Sequence, residues 1–287
     1  MKRLIVNADD FGFTRGTNAG IVRAFKNGIL TSTTLMANGA AFQEAVDLAQ
    51  AHPMLGVGCH LTAVGGKAVS SESASLADTE GNLPRTLTDL VIKLARRQVN
   101  PLDIEREFAA QVERLVSTGI RPTHLDTHKH TAMHPTVSEA MARVATEFGI
   151  RIVRFPFENP RVSVKTALTR NRRKLVFKQG ALSLMTRPAA RQFKNVLRRF
   201  NLQTPDYFCG VTLTGLLDSE ALCQIINSLN EGVTELMCHP AIYDAELEVA
   251  HTRLKRERQQ EFEALTDATV KHCLEANRIE LLHYGQI

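Results

Sequence analysis

Tryptophan is absent from the 287 residues, tyrosine occurs only three times, and no apolar run approaches the ~18 residues needed to span a bilayer. A membrane-spanning helix is therefore excluded. The opening Leu4-Ile5-Val6 run is interrupted by Asn7, Asp9 and Asp10, too early for a signal peptide. No Gly-x-Gly-x-x-Gly turn follows the first strand, and no Gly-x4-Gly-Lys occurs anywhere, which removes the common dinucleotide and nucleotide-phosphate cradles. The five cysteines (59, 209, 223, 238 and 273) are odd in number and form no Cys-x-x-Cys pair. That pattern predicts free thiols in a reducing compartment, hence the cytoplasm. Acidic residues are missing from Arg161 to Arg199, where 12 Lys or Arg occur. Subtracting those 12 from the net +5 leaves −7 on the rest, so a slightly acidic body carries one basic segment.

What is present is the composition of an ordinary globular protein, 44% apolar and 23% charged. Short β-branched runs predict strands near 3–8, 32–36, 55–59, 122–126, 150–154, 208–213, 233–238 and 279–283. Helical patterns fall between them, at 15–27, 41–51, 218–230 and 254–276. Asn100-Pro101 and His134-Pro135 open two more, closed by Gly119 and Gly149. Alternating strands and helices imply parallel strands joined by crossovers. Eight units averaging about 36 residues suit a (β/α) barrel with insertions. A doubly wound sheet would call for the missing glycine-rich turn. One domain over 1–287 is expected, with 156–206 as a basic insertion after the fifth strand and 62–85 as another long loop.

Chemistry-bearing residues gather at the ends of these strands. Asn7-Ala8-Asp9-Asp10-Phe11-Gly12 closes the first, and its two adjacent carboxylates repel unless a cation sits between them. His60 follows the third. His124-Leu125-Asp126-Thr127-His128-Lys129-His130 follows the fourth, and its i, i+2 spacing lets His124, Asp126, His128 and His130 share one face while the chain stays extended. Imidazole with carboxylate is a transition-metal ligand set. Met237-Cys238-His239-Pro240 ends the seventh strand, and a histidine there can act as a general acid. In a barrel all these positions lie on the C-terminal face, where active sites assemble. A metal-dependent hydrolytic site is the expectation.

These motifs, Asn7 to Gly12, Gly58-Cys59-His60, His124 to His128 and Met237 to Pro240, resemble those of the YdjC-like carbohydrate deacetylases. The resemblance runs almost end to end, including Gly28-Ile29-Leu30-Thr31-Ser32 and the closing Tyr284-Gly285. It implies a distorted barrel that hydrolyses the N-acetyl group of amino sugars with one divalent ion, Zn²⁺ or Mg²⁺. Carried over, the implied ligands are Asp10, His60 and His128, with Asp9 as base. His239 would then protonate the leaving amine, and Asp126 would orient an imidazole. The basic insertion, Tyr207-Phe208-Cys209-Gly210 and Thr214-Gly215 are most similar to the hopanoid-biosynthesis-associated (HpnK-type) branch, whose implied substrate is an N-acetylglucosaminyl hopanoid. Relatives often place a further histidine where this chain has Ala132. With no tryptophan, sugar stacking would fall to Phe11, Phe13, Phe155 or Tyr207.

Two other classes fit parts of the pattern. A metal-dependent phosphoesterase barrel would use the basic segment to track nucleic acid, but its multi-metal site needs more carboxylates than the strand ends supply. A non-catalytic sugar-binding barrel would have no use for an intact Asp9, Asp10, His60 and His128. No nucleic-acid partner is expected. The basic segment interleaves Leu175, Val176, Phe177, Phe193, Val196 and Leu197 with its cations. It therefore reads either as a helical cover on the barrel or as a peripheral membrane contact beside the site, suited to a lipid-linked substrate.

Overall fold

In the computed structural model, residues 1–158 and 173–287 are described, with side chains described outside 159–185. Strands β1 (Lys2–Phe11), β2 (Ser32–Leu35), β3 (Gly56–Leu61), β4 (Leu125–Thr127), β5 (Tyr207–Cys209), β6 (Gly232–Cys238) and β7 (Glu280–Leu281) form one sheet, in the order β4-β3-β2-β1-β6-β5 with β7 on β1. Every ladder is parallel. Helices lie between the strands, so the sheet is covered as parallel sheets require, and β1 is buried from Leu4 to its end. The sheet curls into a half-barrel. The predicted strand at 150–154 is reduced to two isolated parallel bridges, Leu125 to Val153 and Ile152 to Gln203, which extend the β4 edge toward β5.

Local chemistry explains the helix limits. Helix α1 (Arg15–Asn27) starts where Thr14 accepts from the Thr17 amide, and Gly28 is its C-cap. Helix α2 spans Phe42–Ala51 and α3 spans Leu87–Ala95. The expected Asn100 cap with Pro101 opens α4 (Pro101–Val116), and His134-Pro135 opens α5 (Pro135–Glu147). Helix α6 (Arg173–Arg199) is followed by α7 (Ser219–Ser228) and the short α8 (Ala245–Val249). The stretch expected as one helix over 254–276 is two, α9 (Arg256–Thr266) and α10 (Ala268–Ala276). Asp267 leaves the helical region there and caps α10 through the Thr269 amide. Helix α3 is not among the sequence expectations; a capping box of Thr86 and Asp89 opens it, and of its nine residues only Leu90 is buried.

Two sequence expectations are corrected. The cysteines are not all free: Cys223 of α7 and Cys273 of α10 form a disulfide, Cα atoms 5.8 Å apart, while Cys59, Cys209 and Cys238 stay buried as thiols. An odd count leaves at least one thiol but says nothing against a pair, so parity gives no support to a reducing compartment. Phe11 is fully buried in the core and cannot stack on a sugar.

The basic segment divides. Residues 161–172, and the side chains through Met185, lie outside the described residues. Farther along α6, Phe193, Val196 and Leu197 recur at helical spacing and are buried, whereas Arg187, Arg191, Lys194, Arg198 and Arg199 are exposed. Phe193 packs edge-on against Phe155 and Phe157 at 5.5 and 5.8 Å, and Arg199 pairs with Glu139 of α5. This half of the helix packs its apolar face on the core and carries its cations on the outer face. Phe193→Ala should cost about 3–5 kcal/mol in urea unfolding. Arg198→Ala, an exposed change, should stay within about 0.5 kcal/mol of the parent.

Candidate active site and metal centre

Consecutive residues on a strand point to opposite faces, so Asp9 and Asp10 would normally diverge. The β1–β2 register pairs Ala8 with Thr33 but Phe11 with Leu35, leaving one extra residue on β1. This bulge carries Asp10 in the left-handed region at φ 69°, followed by Gly12 at φ 89°. Both carboxylates thereby reach the same strand-end site. A non-glycine residue there is costly, and such strain concentrates at functional positions.

The β3–β4 register sets His60 opposite Asp126, and His60 Nδ1 lies 2.6 Å from Asp126 Oδ1. A carboxylate on one ring nitrogen turns the other, Nε2, toward the cavity. Nε2 is 3.4 Å from Asp10 Oδ1 and 3.2 Å from His128 Nδ1, which itself lies 3.0 Å from Asp10 Oδ1. The expected row of four histidine-face residues breaks. Strand β4 ends at Thr127, and Lys129 and His130 both take φ 53°; Asp126, His128 and His130 still reach the site, while His124 does not. His124 is buried and stacked on Tyr284, ring centroids 3.6 Å apart. Gly58 permits this, since a Cβ there would come within 2.5 Å of the His124 ring.

At the centre lies Arg154, fully buried at the end of the segment bridged to β4. Its Nη1 and Nη2 donate to Asp9 Oδ2 and Oδ1 at 2.8 and 2.6 Å, and Nη1 also pairs with Asp126 Oδ2 at 2.7 Å. Its Nε and Nη2 face Glu235 Oε1 at 2.8 and 2.7 Å. Asn7 Nδ2 donates to Asp9 Oδ1 at 3.1 Å, and Arg258 Nη2 to Asp10 Oδ2 at 2.5 Å. Burial opposes ionisation of Asp9 and Asp10, but Arg154 and Arg258 respectively outweigh it and hold both well below the usual carboxylate range. Burial likewise opposes protonation of His60, yet Asp126 and Asp10 raise it to about 10, so this point of the cavity favours positive charge. His239 is lowered to about 4 by burial against the upward pull of Asp9 and Asp10. Its backbone amide donates to Glu261 Oε2 at 2.5 Å, and burial pushes that carboxyl up to about 7.

These groups line a cavity of about 400 Å³ whose wall includes Asp9, Asp10, Phe13, His60, His128 and His239. Its buried atoms Asp10 Oδ1, His130 Nδ1, His239 Nδ1, and Arg258 Nε and Nη1 have no hydrogen-bond partner. Unpaired buried polar atoms are rare in native proteins and point to something bound. Asp10 Oδ1, His60 Nε2 and His128 Nδ1 lie 3.0–3.4 Å apart. Ligand bonds of about 2.0–2.2 Å to a four-coordinate ion place donor atoms about 3.4 Å apart, so this triangle fits one divalent cation. The chain offers a second donor group, Asp9, His60 and Asp126, but Arg154 already pairs with both of its carboxylates. Phe13 is the sequence-nominated aromatic on the cavity wall, whereas Phe155 lines a neighbouring pocket with Phe157 and Arg191. Arg154, Glu235, Arg258 and Glu261 were missed by sequence reasoning. Arg154 occupies a strand end like the other site residues, and that position was the available signal.

The profile of the family described as "YdjC-like protein" matches residues 3–276. A carbohydrate deacetylase of Geobacillus stearothermophilus is 34% identical over 98% of this chain and 96% of its own. One of Brevibacillus brevis is 32% identical over 99% of each. A chitooligosaccharide deacetylase of Salmonella typhimurium is 41% identical over 52% of this chain and 58% of its own. The crystal structure of an Enterococcus faecalis V583 protein superposes with a TM-score of 0.77 at 26% identity, covering 99% of this chain and 98% of that one.

Arg154→Met should destabilise the fold by about 3–5 kcal/mol at neutral pH, because it strands buried carboxylates without their cation. In the parent, the depressed Asp9 contributes stability above the unfolded carboxyl pKa and loses it as pH falls through the folded value. In the variant, burial, the largest influence on Asp9, is opposed only by the weaker pulls of His60 and His239, so the same carboxyl should rise and stability should fall as pH rises. The difference between the two proteins should shrink from pH 7 toward pH 4 in urea unfolding.

Proposed function

The chain belongs to the YdjC-like family, and from that premise we propose that it is a metal-dependent hydrolase removing the N-acetyl group of an amino sugar. The observation that carries this reading is the triangle of Asp10 Oδ1, His60 Nε2 and His128 Nδ1 beside a second carboxylate, Asp9, that a general base requires. These three residues would hold the ion, which when bound polarises the amide carbonyl and makes a water molecule more acidic. Asp9 accepts the proton of that water as it attacks the carbonyl carbon. Asn7 and Arg154 hold the Asp9 carboxylate in place meanwhile. The C–N bond then breaks as the proton taken by Asp9 passes through His239, neutral at pH 7 because burial lowers it to about 4, to the nitrogen, which would otherwise leave as a strongly basic anion. Asp126 fixes the His60 ring so that Nε2 faces inward. Acetate and a free amine are the products.

A phosphoesterase reading gains no support from the geometry, since Arg154 already occupies the place between the additional carboxylates. Asp9→Asn should abolish acetate release from N-acetylglucosamine oligosaccharides while one equivalent of metal still binds, and chelation should silence the parent. Acetate release by Asp9→Asn at the parental rate would remove Asp9 as the base. Asp126→Asn should weaken metal affinity about 10–100-fold, read by competition with a chromogenic chelator.

For the substrate we propose the amino sugar of a hopanoid, as in the hopanoid-associated branch, with Arg161–Arg199 as a cover facing lipid beside the site mouth. The support is chemical: this stretch joins 12 cations to apolar residues, a pairing that suits an anionic bilayer surface, where each nearby Lys or Arg contributes about 1 kcal/mol. Co-sedimentation with anionic liposomes at low salt, lost at high salt and with neutral liposomes, is the expected result. Negligible binding in every condition would leave α6 as a solvated cover only.

A further inference from the structure

We propose that Glu235 and Tyr284 are positioning residues for the base, acting on Asp9 through Arg154. The inference rests on the reading of Asp9 as the base. It follows from how the guanidinium is held. Arg154 presents three nitrogens in one plane, and all of them contact carboxylate oxygens at 2.6–2.8 Å. One edge of the fork, Nη1 and Nη2, grips both oxygens of Asp9, so the orientation of the carboxylate follows that of the arginine. Among the described contacts, the adjoining edge, Nε with Nη2, is held by Glu235 alone, whose Oε1 lies 2.8 Å from Nε and 2.7 Å from Nη2. Without that hold, Arg154 is free to swing toward Asp126, which it already touches through Nη1 at 2.7 Å.

Glu235 is fixed in turn. Its other oxygen, Oε2, accepts from the Tyr284 hydroxyl, and both residues are buried. Tyr284 comes from the far end of the chain. Strand β7 on β1 delivers it, its ring is stacked face to face on His124 at 9°, and its amide nitrogen lies 3.4 Å from Ser32 Oγ. Glu235 comes from the middle of β6, where the ladder sets it beside Ile5, four residues before Asp9. Neither side chain lines the cavity, so neither touches substrate. A four-member chain, Tyr284 to Glu235 to Arg154 to Asp9, thus runs from the closing segment to the reacting carboxylate. Misplacing a reacting group by about 1 Å costs on the order of 100-fold in rate. A positioning chain of this kind acts on kcat, since the substrate pocket is left as it was.

Tyr284→Phe isolates the effect, because it keeps the ring stacked on His124 and removes only the hydroxyl. Glu235→Gln keeps the shape and removes the charge that holds Arg154. With metal-loaded full-length protein and N,N′-diacetylchitobiose, Tyr284→Phe should lower kcat about 10-fold and Glu235→Gln about 100-fold. KM should stay within about twofold in both, with one metal equivalent retained. Because the two act in one chain, the double variant should be no slower than Glu235→Gln alone. Parental kcat in both single variants, a loss confined to KM, or fully additive losses in the double would each overturn the proposal. Should Glu235→Gln not fold, Tyr284→Phe alone decides it by the kcat and KM split. Asp9→Asn separates the two levels. An active Asp9→Asn sinks the base reading itself, whereas an inactive one beside fully active Tyr284→Phe and Glu235→Gln sinks only the positioning chain.

Discussion

The buried guanidinium of Arg154 is the constraint on which the rest of the site depends. A charge out of water is costly unless well-placed partners surround it, and removing one side of such a pair leaves the other stranded. Arg154 meets three carboxylates from three parts of the chain: Asp9 of β1, Asp126 of β4 and Glu235 of β6. Because these contacts must be made together, the bridged segment at 152–154 has to sit where it reaches all three strands. With Asp10 and Arg258 added, four carboxylates face two guanidinium groups. The excess negative charge is concentrated beside His60 and His128, which is the environment a divalent cation would neutralise.

The bulge at Asp9-Asp10 gives two chemically identical carboxylates different surroundings. Asp9 has both oxygens gripped by Arg154, and Asn7 adds a donor to one of them. Asp10 has one oxygen on Arg258 and leaves the other, Oδ1, without a donor and turned to two imidazoles. An oxygen that faces only imidazoles is open to a metal, and a carboxylate anchored at both oxygens keeps its place, while the same arginine makes it a weaker base. The two side chains thus differ in their partners, and the proposed division between ligand and base follows that difference.

Much of this was legible in the sequence because it depends on local chemistry. Strand ends could be found from β-branched runs and their punctuation, and the residues placed there were aspartate and histidine. Asn100-Pro101 and His134-Pro135 opened helices because capping depends on a few neighbouring residues. The features that stayed hidden depend on which strands become neighbours. Glu235 reads as one more polar residue in Gly232–Cys238 until β6 is known to lie beside β1. Arg154 reads as one more charged residue at the end of Ile150-Arg151-Ile152-Val153-Arg154 until β4 is known to bridge to Val153. The pairing of Cys223 with Cys273 across 50 residues is likewise a consequence of α7 and α10 packing together, which neither spacing nor parity reveals. His124 shows the opposite error, since its alternation with Asp126 and His128 was correct for a strand that begins only at Leu125.

The site also explains why so much apolar surface is packed around it. The left-handed Asp10 and the lone nitrogens of His130 and His239 oppose folding. Such features persist only where the surroundings leave the chain no alternative. Here the surroundings are a continuous core that runs from Leu4, Val6 and Ala8 on β1 through β2 and β3 to helices α4 and α5, and on to Phe193 of α6. Phe193 therefore does more than anchor a basic helix. By packing on Phe155, the residue after Arg154, it closes the core over the segment that carries the guanidinium. The described half of the basic segment is thus coupled to the chemistry through packing, whatever its exposed arginines meet on the outside.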